Sequence, residues 1–382
     1  MSDYPIIRWN EAGEEKSARW RSKNDAPPPK RVIIADDRIT ADAAYRLACE
    51  GNALLWRGDF QNARQLLQAL ARRADKKPRK RKTIKTIPGA AEAFHLHRQR
   101  QSQRARTLGM LLLPFNADHS IPLRRAPDVR PACLDVYDTG TEPYVISLRE
   151  LQGLIGAYEW RKRGIDIPAL GARIHPHYGV FAPIRNEYVG LVANASLPSR
   201  TMTHSVAFDI GTGSGVLAAV LAGRCIERIV ATDLDLRALD CARENLTRLG
   251  LARQVELFQA DLFPAGHASL IVCNPPWIPA RPSSPLEHAI FDLEGRMLRG
   301  FLNGLAAHLV PDGEGWLILS DFAEHLGLRS RAELLAAINA AGLRVLTKSD
   351  VKPHHPRSTD AQDPFHAARA AELTSLWRLA AK

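Results

Sequence analysis

The stretch 206–233, VAFDIGTGSGVLAAVLAGRCIERIVATD, constrains the fold of this chain more than any other. It reads as strand, glycine turn, helix, strand. Residues 206–210 are a short apolar run carrying one acid, Asp209, and Gly211, Gly213 and Gly215 follow at alternate positions. Residues 216–222 form an apolar helical run, and 228–232 a second strand that stops at Asp233. Glycine has no Cβ, so such a turn lets backbone and a helix N-terminus come close to a ligand. Asp233 lies about 20 residues past the glycines, where an acid at the end of a second strand accepts hydrogen bonds from ribose hydroxyls. A dinucleotide fingerprint is G-x-G-x-x-G; here D-x-G-x-G-x-G stands instead, and the ordinary dehydrogenase pattern is broken. A second motif, CNPPW at 273–277, follows an apolar run at 268–272, where a fourth parallel strand should end.

A chain of 382 residues predicts two or three domains. No apolar run approaches the roughly 18 residues needed to span a bilayer, so no membrane contact is expected. The first residues, MSDYPIIRWNEAGEEKS, have early acids and no apolar core, which reads as no secretory signal. Cys49, Cys133, Cys225, Cys241 and Cys273 are scattered without a C-x-x-C pair. That pattern predicts buried thiols in a reducing cytoplasm, with neither disulfides nor zinc.

Charge is concentrated. Residues 1–110 hold 24 Lys+Arg against 12 Asp+Glu, a net of +12, while the whole chain carries +11. The densest part is the KKPRKRK block at 76–82, with Lys85 behind it and Arg98, Arg100, Arg104 and Arg106 further on. Such a block repels itself and attracts polyanions. It reads either as a contact with RNA or the ribosome, or as a solvated linker between helical pieces.

Before that block, residues 36–74 read as a helical hairpin broken at Gly58-Asp59, with Asp59 as N-cap of the second helix. Residues 1–30, with Pro27-Pro28-Pro29, read as a flexible tail. Trp9, Trp20 and Trp56 either anchor this region to the body or stack on bases. Residues 108–115 predict a strand or buried turn, and Asp138-Thr139-Gly140 a turn. Residues 148–163 predict a helix capped by Ser147 with Glu150 three positions on, the capping-box pattern. His175 and His177 have no third ligand at suitable spacing, and adjacent His354-His355 cannot share a face, so no metal site is expected.

The motifs together resemble a known family. DIGTGSG looks like the cofactor loop of class I S-adenosylmethionine-dependent methyltransferases. GVFAPIRNEYVGLV at 179–192, DIGTGSG, Asp233, ADLF at 260–263 and NPPW resemble, in order and spacing, the HemK/PrmC-like methyltransferases, which methylate the side-chain amide of glutamine in proteins. The resemblance covers roughly residues 175–320, the last strands loosely and the first 110 residues not at all. It implies S-adenosyl-L-methionine as cofactor. Gly211, Thr212, Gly213 and Gly215 would form its loop, and Asp209 would orient that loop or the methionine amine. Asp233 and Leu234 would lie at the ribose, Asp261 and Leu262 at the adenine. Pro183 is kept from the family's entry segment, Ile184-Arg185 departs from its order, and Trp277 stands for the family's tyrosine. The same Asn-Pro-Pro-aromatic motif also serves enzymes that methylate exocyclic amines of adenine and guanine.

The chemistry of Asn274-Pro275-Pro276-Trp277 follows from the acceptor. An amide or aryl amine is a poor nucleophile because its lone pair is delocalised. A site can accept hydrogen bonds from both N–H groups and hold the nitrogen against the methyl carbon. Asn274 offers a side-chain carbonyl and Pro275 a backbone carbonyl; Pro275 and Pro276 stiffen the turn, and Trp277 offers a flat face. Beyond it, residues 278–285 read as a stiff rim, with Glu287, Asp292 and Arg296 either touching substrate or lying on a helix surface.

The expected fold is α/β: a doubly wound, mostly parallel seven-stranded sheet whose last strand is antiparallel by resemblance. The expected divisions are a tail at 1–35, a basic helical region at 36–107, an auxiliary substrate-side domain at 108–195 and a cofactor-binding catalytic domain at 196–382. The expected activity is methyl transfer to a planar nitrogen, first of a glutamine amide in a translation protein. Alternatives are an exocyclic amine of RNA or DNA, and a non-catalytic nucleic-acid-binding protein of the same fold.

Overall fold

A computed structural model describes residues 4–76, 89–138, 140, 142–282, 287–354 and 360–382. Most of the basic block at 77–82, Thr139, the rim residues 283–285 and His355 lie outside the described residues. The chain divides into two compact units, Met1–Glu159 and Trp160–Lys382.

The first unit holds the strands β1 (Ile6–Glu11), β2 (Glu14–Trp20), β3 (Arg31–Ala35), β4 (Asn52–Trp56), β5 (Leu111–Phe115) and β6 (Tyr144–Ser147). Its helices are α1 (Ala41–Cys49), α2 (Phe60–Ala74), α3 (Ala90–Leu108), α4 (Arg130–Leu134) and the start of α5 (Leu148–Arg163). The sheet order is β1-β2-β6-β5-β4-β3. β3, β4 and β5 run parallel; α1 returns the chain from β3 to β4, and α2 with α3 from β4 to β5. The expected tail is instead three strands. Ile7 and Trp9 alternate inward on β1 and pack with Trp20, Ala53, Leu55, Leu112 and Val145. The expected hairpin is also interrupted. Gly51, at φ +84°, ends α1, and the apolar run 53–56 is a strand buried along its whole length. A strand covered on both faces reads as a continuous apolar run, which periodicity alone cannot tell from helix.

Asp59 does cap α2, accepting from Gln61 N at 2.8 Å. Ser147 Oγ accepts from Glu150 N at 3.0 Å, but the Glu150 carboxylate does not complete a capping box. It turns inward and accepts from Ser22 Oγ, Lys23 N and Tyr137 Oη at 2.8, 2.6 and 2.8 Å.

The second unit opens with the β7 (Ile165–Ile167) and β8 (Ala172–Ile174) ribbon and α6 (Glu187–Asn194). Then follow β9 (Val206–Ile210), α7 (Val216–Ala222), β10 (Arg228–Asp233), α8 (Leu236–Arg248), β11 (Val255–Gln259) and β12 (Ala268–Cys273). α9 (Arg296–His308), β13 (Leu309–Ser320), α10 (Phe322–His325), α11 (Arg331–Ala340), β14 (Leu343–Val351), α12 (His366–Ala371) and β15 (Thr374–Ala381) complete it. The sheet order is β11-β10-β9-β12-β13-β15-β14. Strands β9 to β13 are parallel, and β15 is antiparallel to both neighbours.

Side chains alternate between two cores. Ala207, Leu270, Val272, Trp316 and Ile318 pack beneath α6 and α7, while Phe208, Ile210, Ile271, Leu317 and Leu319 pack beneath α9 and α11. The chain leaves β9 outward through β10 and β11, then returns to the other flank of β9 as β12. That reversal opens a crevice at the carboxyl ends of β9 and β12, where open α/β sheets bind ligands. Cys133, Cys241 and Cys273 are buried, whereas Cys49 and Cys225 are exposed, so only three of the thiols fit the expected interior role.

Candidate active site

Strand register assembles the crevice. Ile210 pairs with Thr232 on one side and with Cys273 on the other. The next residues along the three strands are therefore Asp233, Gly211 and Asn274, side by side on neighbouring strands about 4.8 Å apart. Gly211, Gly213 and Gly215 have φ of +72°, +55° and +80°, a region that L side chains rarely adopt. Gly211 N and Thr212 N both donate to Thr232 O, at 2.9 and 2.8 Å, folding the loop over β10.

Asp209 anchors that loop from beneath. Its Oδ2 accepts from Thr212 Oγ1 at 2.7 Å and from Ala218 N, in the first turn of α7, at 3.0 Å. Its Oδ1 is buried and has no partner. Burial pushes the carboxyl up to about 6, against the lowering effect of the Thr212 and Ala218 hydrogen bonds. Asp233 accepts from Gly213 N at 3.0 Å and Asp235 N at 2.9 Å, one on each oxygen, and burial raises it as well. Each oxygen retains a lone pair for a hydroxyl.

This geometry fits S-adenosylmethionine on two counts. A buried carboxylate oxygen lacking a donor suits the methionyl ammonium, and a Cβ at Gly213 would meet nothing within 4 Å, leaving the loop open to a ligand. The other expected cofactor residues lie as follows. Leu234 is exposed at 58%. Asp261 is exposed and paired with Arg296. Leu262 adopts φ +79° and lies against Gly300 of α9, while its carbonyl accepts from Thr232 Oγ1 at 2.6 Å.

On the opposite flank Asn274-Pro275-Pro276-Trp277 turns back on itself. Trp277 Nε1 donates to Asn274 Oδ1 at 2.8 Å. The Tyr188 ring of α6 meets the indole edge-on, with centroids 6.5 Å apart at 89°. Its hydroxyl is pushed up by burial and the nearby Asp209, so it stays protonated at neutral pH. Arg185 lies 5.5 Å from the Trp277 ring centroid and reaches Glu372 at 3.0 and 3.3 Å. Glu372, 3% exposed, also accepts from Ser320 Oγ at 2.6 Å. Tyr188 lies in the 179–192 stretch without a role assigned to it, and Glu372 and Ser320 had no signal in the sequence, being lone residues whose meaning depends on the fold.

The remaining candidates have structural partners. Asp292 accepts from Met297 N and Leu298 N, capping α9. Ile278 bridges to Phe291. His175 Nδ1 meets Arg161 O at 2.6 Å, and His177 Nε2 meets Glu244 at 2.7 Å. Among the described residues no cluster of three or more His, Cys, Asp or Glu side chains could hold a metal, and no helix is long and apolar enough to cross a membrane.

A family model described as methyltransferase small domain matches residues 172–328. With the strand order and the crevice, that match gives the second unit the fold of a class I methyltransferase domain. Within that class the chain is similar to a release factor glutamine methyltransferase of Cereibacter sphaeroides, 35% identical over 37% of this chain and 55% of that protein. It is also similar to the release factor glutamine methyltransferase of Caulobacter vibrioides, 32% identical over 42% of this chain and 58% of that one. The ribosomal protein L11 methyltransferase of Sorangium cellulosum is 31% identical over 41% of this chain and 40% of its own length. The chain thus spans about half the length of these curated relatives.

Proposed function

We propose that the chain is an S-adenosylmethionine-dependent N-methyltransferase, and that its acceptor is the side-chain amide of a glutamine in a translation-related protein. The observation that carries this reading is the juxtaposition of Asn274 with Gly211 on adjacent parallel strands, each one residue past a register pair. The names of the relatives support the choice of acceptor.

When bound, the cofactor supplies an electrophilic methyl on a sulfonium. The chain's own residues do the rest by positioning. Asp209 Oδ1 would hold the cofactor's ammonium and the Asp233 carboxylate its ribose hydroxyls. Asn274 Oδ1 and the Pro275 carbonyl accept the two N–H bonds of the acceptor and aim its nitrogen into the crevice. Preorganised dipoles of this kind act without reorganising during reaction. Tyr188, held protonated, is not a base.

Labelled methyl transfer to cell extract, split by protease and nuclease, tests the reading. Label released by protease and located by mass spectrometry on a glutamine side chain is the expected result; its absence from protein overturns it. One observation favours a second reading, an exocyclic amine of RNA. α3 carries Arg98, Arg100, Arg104 and Arg106 against one acid, Glu92, and Arg100 and Arg106 are exposed. Nuclease-released label would select it. A non-catalytic nucleic-acid-binding role predicts no calorimetric binding of S-adenosylhomocysteine.

A further inference from the structure

The geometry points to a positioning task for Trp277: its indole N–H sets the orientation of the Asn274 carboxamide, so that oxygen rather than NH2 faces the acceptor nitrogen. This rests on the methyltransferase reading and goes beyond it.

A carboxamide has two ends of nearly equal size but opposite hydrogen-bonding character. The wrong end toward an acceptor would set donor against donor and abolish the hold on the nucleophile. The indole has one donor and no acceptor, so a bond to Asn274 is compatible with one orientation only. That bond is present, at 2.8 Å to Oδ1 in a half-buried position.

The indole is itself held in place. Tyr188 packs against its edge and Arg185 over its face. Arg185 is fixed in turn by the buried Glu372 carboxylate, which Ser320 also engages. The chain Ser320–Glu372–Arg185–Trp277 thus transmits the rigidity of β13 and the start of β15 to one carboxamide. Oδ1 has two lone pairs: one goes to the indole, and the second remains for an acceptor N–H.

Two cofactor analogues test this without any acceptor. Sinefungin carries an amine, protonated at neutral pH, where the sulfonium methyl stands; S-adenosylhomocysteine has nothing there. The ammonium would donate to Asn274 Oδ1, so its affinity reports the carboxamide's orientation. Trp277→Phe should weaken sinefungin about tenfold by calorimetry, the scale of a hydrogen bond to a charged group, and leave S-adenosylhomocysteine within about twofold. In an Asn274→Asp background both side-chain atoms are acceptors, so the same substitution should cost sinefungin no more than about threefold.

Equal losses for both analogues, no loss for either, or an undiminished loss in the aspartate background overturns the proposal. A native chain that binds neither analogue overturns the methyltransferase reading itself, whereas native binding without the Trp277 effect sinks only the orienting role. Should Trp277→Phe fail to fold, hydrogen exchange of the indole N–H decides. Slow exchange in the native chain that quickens in Asn274→Ala supports the bond; fast exchange in the native chain removes it.

Discussion

Asp209 is a carboxylate with 1% of its surface exposed and one oxygen unpartnered. Burial raises it from the ordinary 3.8 to about 6, so the folded state binds its proton more tightly than the unfolded chain does. The stability it contributes is full below pH ~4 and is lost as pH rises through about 6. Ligand binding runs the other way, because an ammonium favours the ionised form. S-adenosylhomocysteine affinity should therefore rise between pH 5 and 7 and level off above, as calorimetry across that range would record. Asp209→Asn should bind more weakly throughout and flatten most of the slope. The rest belongs to Asp233, which burial shifts in the same direction. Asn274→Ala separates binding from transfer: affinity for S-adenosylhomocysteine should hold while methyl transfer to extract falls by at least about a hundredfold. Retained turnover would remove Asn274 from the mechanism. These residues stood out in the sequence because each ends an apolar run, with a glycine loop following Asp209 and two prolines following Asn274. Tyr188 and Glu372 did not, because their roles arise from packing between α6, β12 and the approach to β15.

At the scale of elements, the glycine loop can be dissected by what a Cβ would meet. All three glycines sit at positive φ, so each alanine variant carries a backbone cost of about 1–2 kcal/mol. At Gly213 nothing lies within 4 Å, and the backbone cost stands alone. At Gly215 the new methyl would meet Ala242 Cα and Cβ at 3.2 Å, and at Gly211 the Met297 Cε at 2.5 Å. Urea denaturation should rank Gly213→Ala as milder than Gly215→Ala, since α8 backbone yields less than a methionine tip. The reverse order would mean the loop relaxes as a body. The second unit's elements were readable in the sequence for a local reason: short apolar runs end at Asp209, Asp233 or Asn274, and glycine or proline breaks follow the first and the last. β4 was missed because Asn52–Trp56 has no polar face to betray its period. β1 did alternate, yet its charged edges and the Pro27-Pro28-Pro29 run suggested a tail. Those charges are what an edge strand uses to discourage further pairing.

At the scale of the whole molecule, the first unit changes how its basic surface must be tested. Removing residues 1–110 would strip β1 to β4 from the sheet and leave β5 and β6 as an isolated pair with both outer edges bare, so the loss would report unfolding rather than charge. Arg100→Glu with Arg106→Glu alters exposed positions of α3 and keeps its packed residues, Phe94 and Leu108. If that face meets RNA, the double variant should weaken binding to a ribosomal RNA fragment in low salt and reduce the salt slope by about 1 to 2. An unchanged slope would set the α3 face aside. The charge asymmetry along the chain was plain from the sequence, but its mounting on a folded sheet was not, because pairings so distant leave no local periodicity.

Those distant pairings also govern how the chain comes off the ribosome. On the side away from β1, Arg19 and Trp20 of β2 pair with Tyr144 and Val145 of β6. During synthesis the β1–β2 hairpin emerges first, with Ile7, Trp9 and Trp20 bare, and waits for well over a hundred further residues. Late closure of this kind slows folding and leaves a sticky strand edge on a nascent polypeptide. The first unit is therefore the part of the protein for which a chaperone at the exit tunnel matters most.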